Sequence, residues 1–184
     1  MPLRSFQNCT PRLGQRVMID PSAVVIGDVH LGDDCSVWPM AVIRGDMHSI
    51  RIGKGCSIQD GSVLHITHAG PFTGAGQPLI IGDYVTIGHQ ALLHGCRIGN
   101  QVLIGMNATV MDGAILEDQL ILAAGSLVPP NKRLASGFVY KGNPAQAVRA
   151  LTEQEYSFLQ YTAQNYVNLK DQYLAEAHQE NSSP

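Results

Sequence analysis

The chain repeats an aliphatic residue every six positions over much of its length. Segments 31–46, 52–67, 81–96, 98–113 and 116–131 align in one frame, and small residues follow the aliphatic ones at a fixed offset. An amphipathic helix would instead place apolar residues at intervals of three and four. Six-residue repeats taken three at a time are typical of a parallel β-helix, a solenoid with three short flat faces. The aliphatic positions include Leu31, Val37, Ile43, Ile52, Ile58, Leu64, Ile81, Ile87, Leu93, Ile98, Ile104 and Val110.

The pattern changes near residue 150. We predict a parallel β-helix over 1–150, with a Gly/Pro-rich loop at 66–78 placed beside two histidines, and an α-helix over 151–178. Thr152 and Glu155 have the spacing of a capping box at the start of that helix. Its apolar stripe must pack on the solenoid or on a neighbouring subunit. The tail, 179–184, is expected to be disordered.

Composition excludes several classes of function. The 184 residues carry a net charge of −3 without a cluster of Lys and Arg, which argues against a nucleic-acid partner. No apolar segment has the length of a membrane span, and the first residues lack the apolar core of a signal peptide. The four cysteines show no CxxC spacing. These features predict a protein of a reducing, cytoplasmic compartment.

Three histidines carry the candidate chemistry. His65 lies thirteen residues after Ile52, and His94 lies thirteen after Ile81, so both should stack in one column roughly 4.8 Å apart. Arg44 holds the same position one coil earlier. His89 belongs to a second column with Asp60, at a different corner of the coil.

Zinc needs its ligand nitrogens at about 2.0–2.1 Å. One subunit therefore cannot bring all three imidazoles together, and we expect His65 and His94 from one subunit to meet His89 of another. Closed cyclic symmetry then favours a homotrimer with three metal sites. The alternative is that each histidine is an ordinary wall or corner residue of the solenoid, and that Asp46 and Asp60 are turn aspartates.

In combination, four motifs resemble the γ-class carbonic anhydrase family of left-handed β-helix trimers. They are "VWPMAVIRGD" (37–46), "SIQDGSVLH" (57–65), "TIGHQALLHGC" (86–96) and "VPPNK" (128–132). The resemblance covers the chain from about Pro11 to the terminal helix. It implies that the metal ligands are His65, His89 and His94.

The same resemblance implies supporting roles around the metal. Arg44 and Asp46 match an interface ion pair, and Gln59 and Asp60 match residues that hydrogen-bond the metal-bound water and pair with the arginine. Tyr166 aligns with an aromatic residue that reaches the site in several relatives, although it could equally be a packed residue of the helix stripe.

Three positions depart from the family pattern. Met47 and His68 stand where characterised members carry glutamates, the second of them a proton shuttle, and Ser57 replaces an asparagine. Histidine can shuttle protons near neutral pH, so His68 is a candidate substitute or a plain loop residue.

The expected activity is metal-dependent hydration of carbon dioxide to bicarbonate. Three neutral imidazoles leave the metal its full positive charge and one open coordination position. A water molecule bound there loses a proton more easily, which provides a hydroxide nucleophile. We expect zinc, with iron(II) or cobalt as alternatives. The missing glutamates predict a slow enzyme. Two other interpretations are a hexapeptide acyltransferase that uses acyl-CoA, and a metal-binding scaffold without turnover.

Overall fold

The computed structural model describes residues 2–180 of the protein, and side chains as far as residue 177. It is a parallel β-solenoid followed by one long helix, which confirms the predicted fold class. The helix, α1, spans Glu153–Glu180. Residues 181–184 of the tail predicted to be disordered lie outside the described residues.

Within residues 2–180, the solenoid contains twenty strands, most of them very short. They are β1 Leu3–Arg4, β2 Arg12–Leu13, β3 Met18–Ile19, β4 Val24–Leu31, β5 Ser36–Val37, β6 Val42–Ile52, β7 Ser57–Ile58, β8 Val63–His65, β9 Leu79–Ile81, β10 Thr86–Ile87, β11 Leu92–His94, β12 Arg97–Ile98, β13 Leu103–Ile104, β14 Thr109–Val110, β15 Ile115–Leu116, β16 Ile121–Leu122, β17 Leu127–Val128, β18 Arg133–Leu134, β19 Phe138–Lys141 and β20 Gln146–Ala150.

These strands form two hydrogen-bonded sheets. One runs β3-β5-β7-β10-β13-β16-β19-β20, parallel throughout except for the final β19–β20 pair. The other contains the long strand β6, whose beginning pairs with β8 and whose end pairs with β9. Because β6 takes part at both ends, this sheet supplies two of the three walls.

The six-residue aliphatic pattern fills the interior. Ile43, Leu64, Leu93 and Val110 stack along one wall, each fully buried and paired with its neighbour in the next coil. Regular coils repeat every eighteen residues, as in the pairing of Ile115 with Arg133. Neighbouring coils are joined by parallel backbone hydrogen bonds, so each interior residue stacks on its equivalent.

The helix packs on the solenoid of its own chain, against β3, β5 and β7. Thr152 Oγ1 accepts the Glu155 amide at 3.2 Å, and the Glu155 carboxylate accepts the Thr152 amide at 3.0 Å, which confirms the capping box. Leu159 and Ala163 of the helix are buried. Lys170 is buried as well, and its Nζ donates to Asp34 Oδ1 at 3.0 Å.

Candidate metal centre

His65 and His94 end the adjacent strands β8 and β11. They are paired directly in the parallel ladder, as the thirteen-residue spacing predicted. Their rings lie 5.1 Å apart between centroids, and His65 Nδ1 lies 3.1 Å from His94 Nε2. Two nitrogens bound to one tetrahedral zinc ion at 2.0–2.1 Å lie roughly 3.3 Å apart. The pair is therefore spaced as two ligands of a single ion.

Each of the three histidines has a carboxylate against one ring nitrogen. His65 Nε2 lies 3.2 Å from Asp46 Oδ1, and His94 Nδ1 lies 2.9 Å from Asp112 Oδ1. His89 Nδ1 lies 2.8 Å from Asp60 Oδ2. The full set of pairs is His65–Asp46, His89–Asp60 and His94–Asp112. An ionised carboxylate only accepts, so in each pair the imidazole donates and its other nitrogen keeps a lone pair.

This assignment sets two lone pairs face to face. The free nitrogens of His65 and His94 are the ones that lie 3.1 Å apart. Two acceptors at that distance repel unless a cation, a proton or a metal ion, lies between them. A carboxylate behind a ligating imidazole is the usual arrangement in metal sites, where it fixes the tautomer and raises ligand basicity. The donor set thus fits a metal ion.

Burial and the nearby Arg44 charge favour the neutral form of His65. Burial lowers the pKa of His65, and the Arg44 charge lowers it further against the opposing effect of Asp46. Burial alone would raise the pKa of Asp46, but hydrogen bonds from Arg44 and His65 lower it overall. Arg44 and Asp46 form an ion pair within the chain. Neutral imidazole is the form that binds metals.

His89 stands apart from the other two histidines. It lies in the turn between β10 and β11, with 46% of its side chain exposed, and Gln59 and Tyr166 line the same groove. Among residues 2–177, no three His, Cys, Asp or Glu side chains are placed to hold a metal ion within one chain. The structure therefore offers two half-sites: the His65–His94 pair and His89 with its free nitrogen turned outward from Asp60.

Tyr166 and His68 have different surroundings. Tyr166 packs edge-on against Trp38, with ring centroids 5.9 Å apart, and burial, with the Asp60 charge, raises its pKa. His68 is exposed in the loop that follows β8, where its backbone carbonyl accepts the Thr73 hydroxyl at 2.6 Å. His68 does not line the groove that contains His89.

Asp112 and Thr67 were not predicted as site residues. Asp112 lies one coil beyond His94, and its Oδ1 accepts both His94 Nδ1 and the Thr67 hydroxyl, the latter at 2.6 Å. An available signal was that Asp112 follows Met111, which continues the column of His65 and His94 into the next coil. Turn aspartates are common enough in this repeat that the position alone was not distinctive.

Comparison with known proteins decides the family. Two family models match parts of the chain: the bacterial transferase hexapeptide (six repeats) over residues 10–45, and the hexapeptide repeat of succinyl-transferase over 95–129. Protein YrdA of Escherichia coli K12 is 53% identical over 96% of both chains. Gamma carbonic anhydrase 1, mitochondrial, of Arabidopsis thaliana is 45% identical over 90% of this chain and 60% of its own length. The chain belongs to the γ-class carbonic anhydrase-like hexapeptide family. This confirms the resemblance found in the sequence.

The relatives of this chain include both carbonic anhydrases and hexapeptide transferases. A crystal structure of a hexapeptide transferase family protein from Anaplasma phagocytophilum matches with a TM-score of 0.86 and 38% identity, over 93% of this chain and 97% of that one. The γ-carbonic anhydrase side of the family implies a metal cofactor, and the paired imidazoles fit one. No helix in the described part of the chain is long and apolar enough to cross a membrane.

Proposed function

We propose that the protein is a metal-dependent carbonic anhydrase that acts as a homotrimer, with each metal ion held between two subunits. His65 and His94 of one chain and His89 of a neighbour would be the ligands. The observation that carries the proposal is the pair of lone-pair nitrogens 3.1 Å apart, each imidazole backed by a carboxylate. An acyltransferase with one catalytic histidine has no need of such a pair.

Zinc is the metal that three neutral histidines favour, with iron(II) and cobalt compatible with the same ligands. When bound, it acts as a Lewis acid and makes a hydroxide nucleophile available near neutral pH. Asp112 and Asp60 hold the imidazoles in the ligand tautomer. Asp46 accepts a hydrogen bond from His65 and is itself paired with Arg44, so the two residues would fix the orientation of the His65 ring.

The remaining residues handle substrate and proton. Gln59 and Tyr166 border the groove beside His89, where the Gln59 amide would orient the nucleophile as it adds to the carbon of carbon dioxide. The reaction releases bicarbonate and one proton. His68 is exposed, and an imidazole can both accept and release a proton, so it would pass this proton to buffer. Free thiols at all four cysteine positions are in keeping with our placement of the protein in the cytoplasm.

Metal analysis and a hydration assay on one sample test the proposal. Zinc-loaded wild type should contain one metal per chain, run as a trimer and hydrate carbon dioxide. His89→Ala should lose both metal and activity, because the neighbour's pair then lacks its third ligand. His30→Ala, an exposed histidine outside the site, is the matched control and should behave as wild type.

The rival functions give different results in the same experiments. Full metal content without hydration would favour the scaffold. A metal-free protein that binds acetyl-CoA by calorimetry would favour the acyltransferase. Retention of metal by His89→Ala would overturn the inter-subunit site itself.

A further inference from the structure

A groove lies between the helix α1 and the solenoid wall formed by β10 and β13, next to His89. It has a volume of about 260 Å³. Its floor includes Thr86 and Leu103, which are paired on neighbouring strands β10 and β13, and the helix side includes Thr162 and Tyr166. His89 and Gln59 also line it. We refer to it as the α1–β10 groove.

Thr86 is the unusual residue on its floor. Its side chain is 3% exposed, and Oγ1 has no hydrogen-bond partner among the residues that the structure describes. The hydroxyls stacked below it in the same row are satisfied, since Trp38 Nε1 donates to Ser36 Oγ at 3.0 Å and to Ser57 Oγ at 2.9 Å. A buried hydroxyl without a partner costs stability, so its position at the groove suggests a ligand.

The lining indicates what kind of ligand. Besides Leu103, the groove is lined by the apolar residues Met106 and Ala124, and no lysine or arginine lines it. The nearby Asp60 carboxylate, whose charge is felt at Tyr166, would repel an anion. A small neutral molecule with a hydrogen-bond acceptor is the ligand that these surroundings favour.

We infer that the α1–β10 groove is where carbon dioxide is held before reaction, with the Thr86 hydroxyl donating a hydrogen bond to one of its oxygens. This inference rests on the proposed function and adds to it a binding residue. Thr86 would hold the linear, neutral substrate beside His89, while anionic bicarbonate would not be retained there.

Kinetics of two conservative variants test the role of the hydroxyl. Thr86→Val keeps the shape and removes the donor, so KM for carbon dioxide should rise about fivefold, the effect of one net hydrogen bond. Thr86→Ser should restore the wild-type KM. Metal content and thermal stability of Thr86→Val should stay at or above wild type, since the hydroxyl has no protein partner to lose. Ser36→Ala, in the same row but bonded to Trp38, is the control and should leave KM unchanged.

Crystals pressurised with carbon dioxide separate this inference from the enzymatic proposal. Carbon dioxide refined within hydrogen-bond distance of Thr86 Oγ1, and absent in Thr86→Val, would support the inference even if the protein did not turn over. An ordered water at Oγ1 that carbon dioxide does not displace would overturn it. So would a Thr86→Val enzyme with the wild-type KM. Lack of hydration by metal-replete wild type would overturn the proposed function alone.

Discussion

Asp112 provides the sharpest test of the metal centre, because only the folded structure connects it to a histidine. Its Oδ1 accepts His94 Nδ1 at 2.9 Å and so leaves Nε2 as the free nitrogen that faces His65. Asp112→Ala removes that acceptor. The His94 proton can then move to Nε2, which takes away the lone pair that a metal needs.

The size of the effect follows from this connection. Loss of a carboxylate behind a ligating imidazole commonly lowers metal affinity 10–100-fold, or about 1.4–2.8 kcal/mol. Asp112→Asn should fall between wild type and Asp112→Ala, because the amide oxygen still accepts from His94 but carries no charge. Neither change should alter the hydrophobic interior, so the trimer should persist.

Competition with a fluorescent zinc chelator measures the affinity directly, with melting temperature and light scattering as checks on folding and assembly. Asp118→Ala is the matched control: Asp118 Oδ1 accepts the Asn100 amide at 2.7 Å in another turn and touches no histidine in the described structure. Zinc affinity of Asp112→Ala equal to that of wild type would refute the assignment of the His94 tautomer and, with it, the fit of the pair to a metal.

Two further predictions concern how the helix is held. Asp34→Asn should cost about 3 kcal/mol of unfolding free energy in urea titrations, because it removes one of the two acidic partners of the buried Lys170. The exposed Arg16 also pairs with Asp34, and Arg16→Ala should lower stability far less. Equal losses for the two variants would contradict the importance of burial. The Arg149 and Thr152 contacts lower the pKa of Glu155 from 4.5 to about 2, so its stabilising effect is complete above pH 4.5 and is lost as the pH falls toward 2. Acid denaturation of Glu155→Gln should lack that component, and identical acid profiles for variant and wild type would count against the pKa shift.

The repeat made the solenoid and the histidine column predictable. Aliphatic residues at six-residue intervals fix which side chains point inward, and that frame alone places His65 beside His94. The capping box could also be identified, because Thr152 and Glu155 act through local backbone groups. These features depend on the position of a residue in the repeat or on spacing within a helical turn, which a sequence displays directly.

The contacts that escaped prediction do not follow from the six-residue repeat. Lys170 reaches Asp34 across 136 residues, and a lysine on a helix is normally assigned to the solvent side. Yet Lys170 continues the spacing of Leu159, Ala163 and Tyr166 on the covered face. Asp112 and the orphaned Thr86 hydroxyl likewise acquire meaning only when coils are stacked and the helix covers them.

The loop between β8 and β9 bears on how such a protein can change. His65 and His94 are 29 residues apart, eleven more than a regular coil of eighteen, and the excess corresponds to the loop 68–78. The loop does not change the register of the strand pairing, since Leu64 is still paired with Leu93. A loop can thus be inserted at a turn between two strands while the side chains of the adjacent coils stay in register. Evolution can rework the approaches to the reactive groups without disturbing the groups themselves.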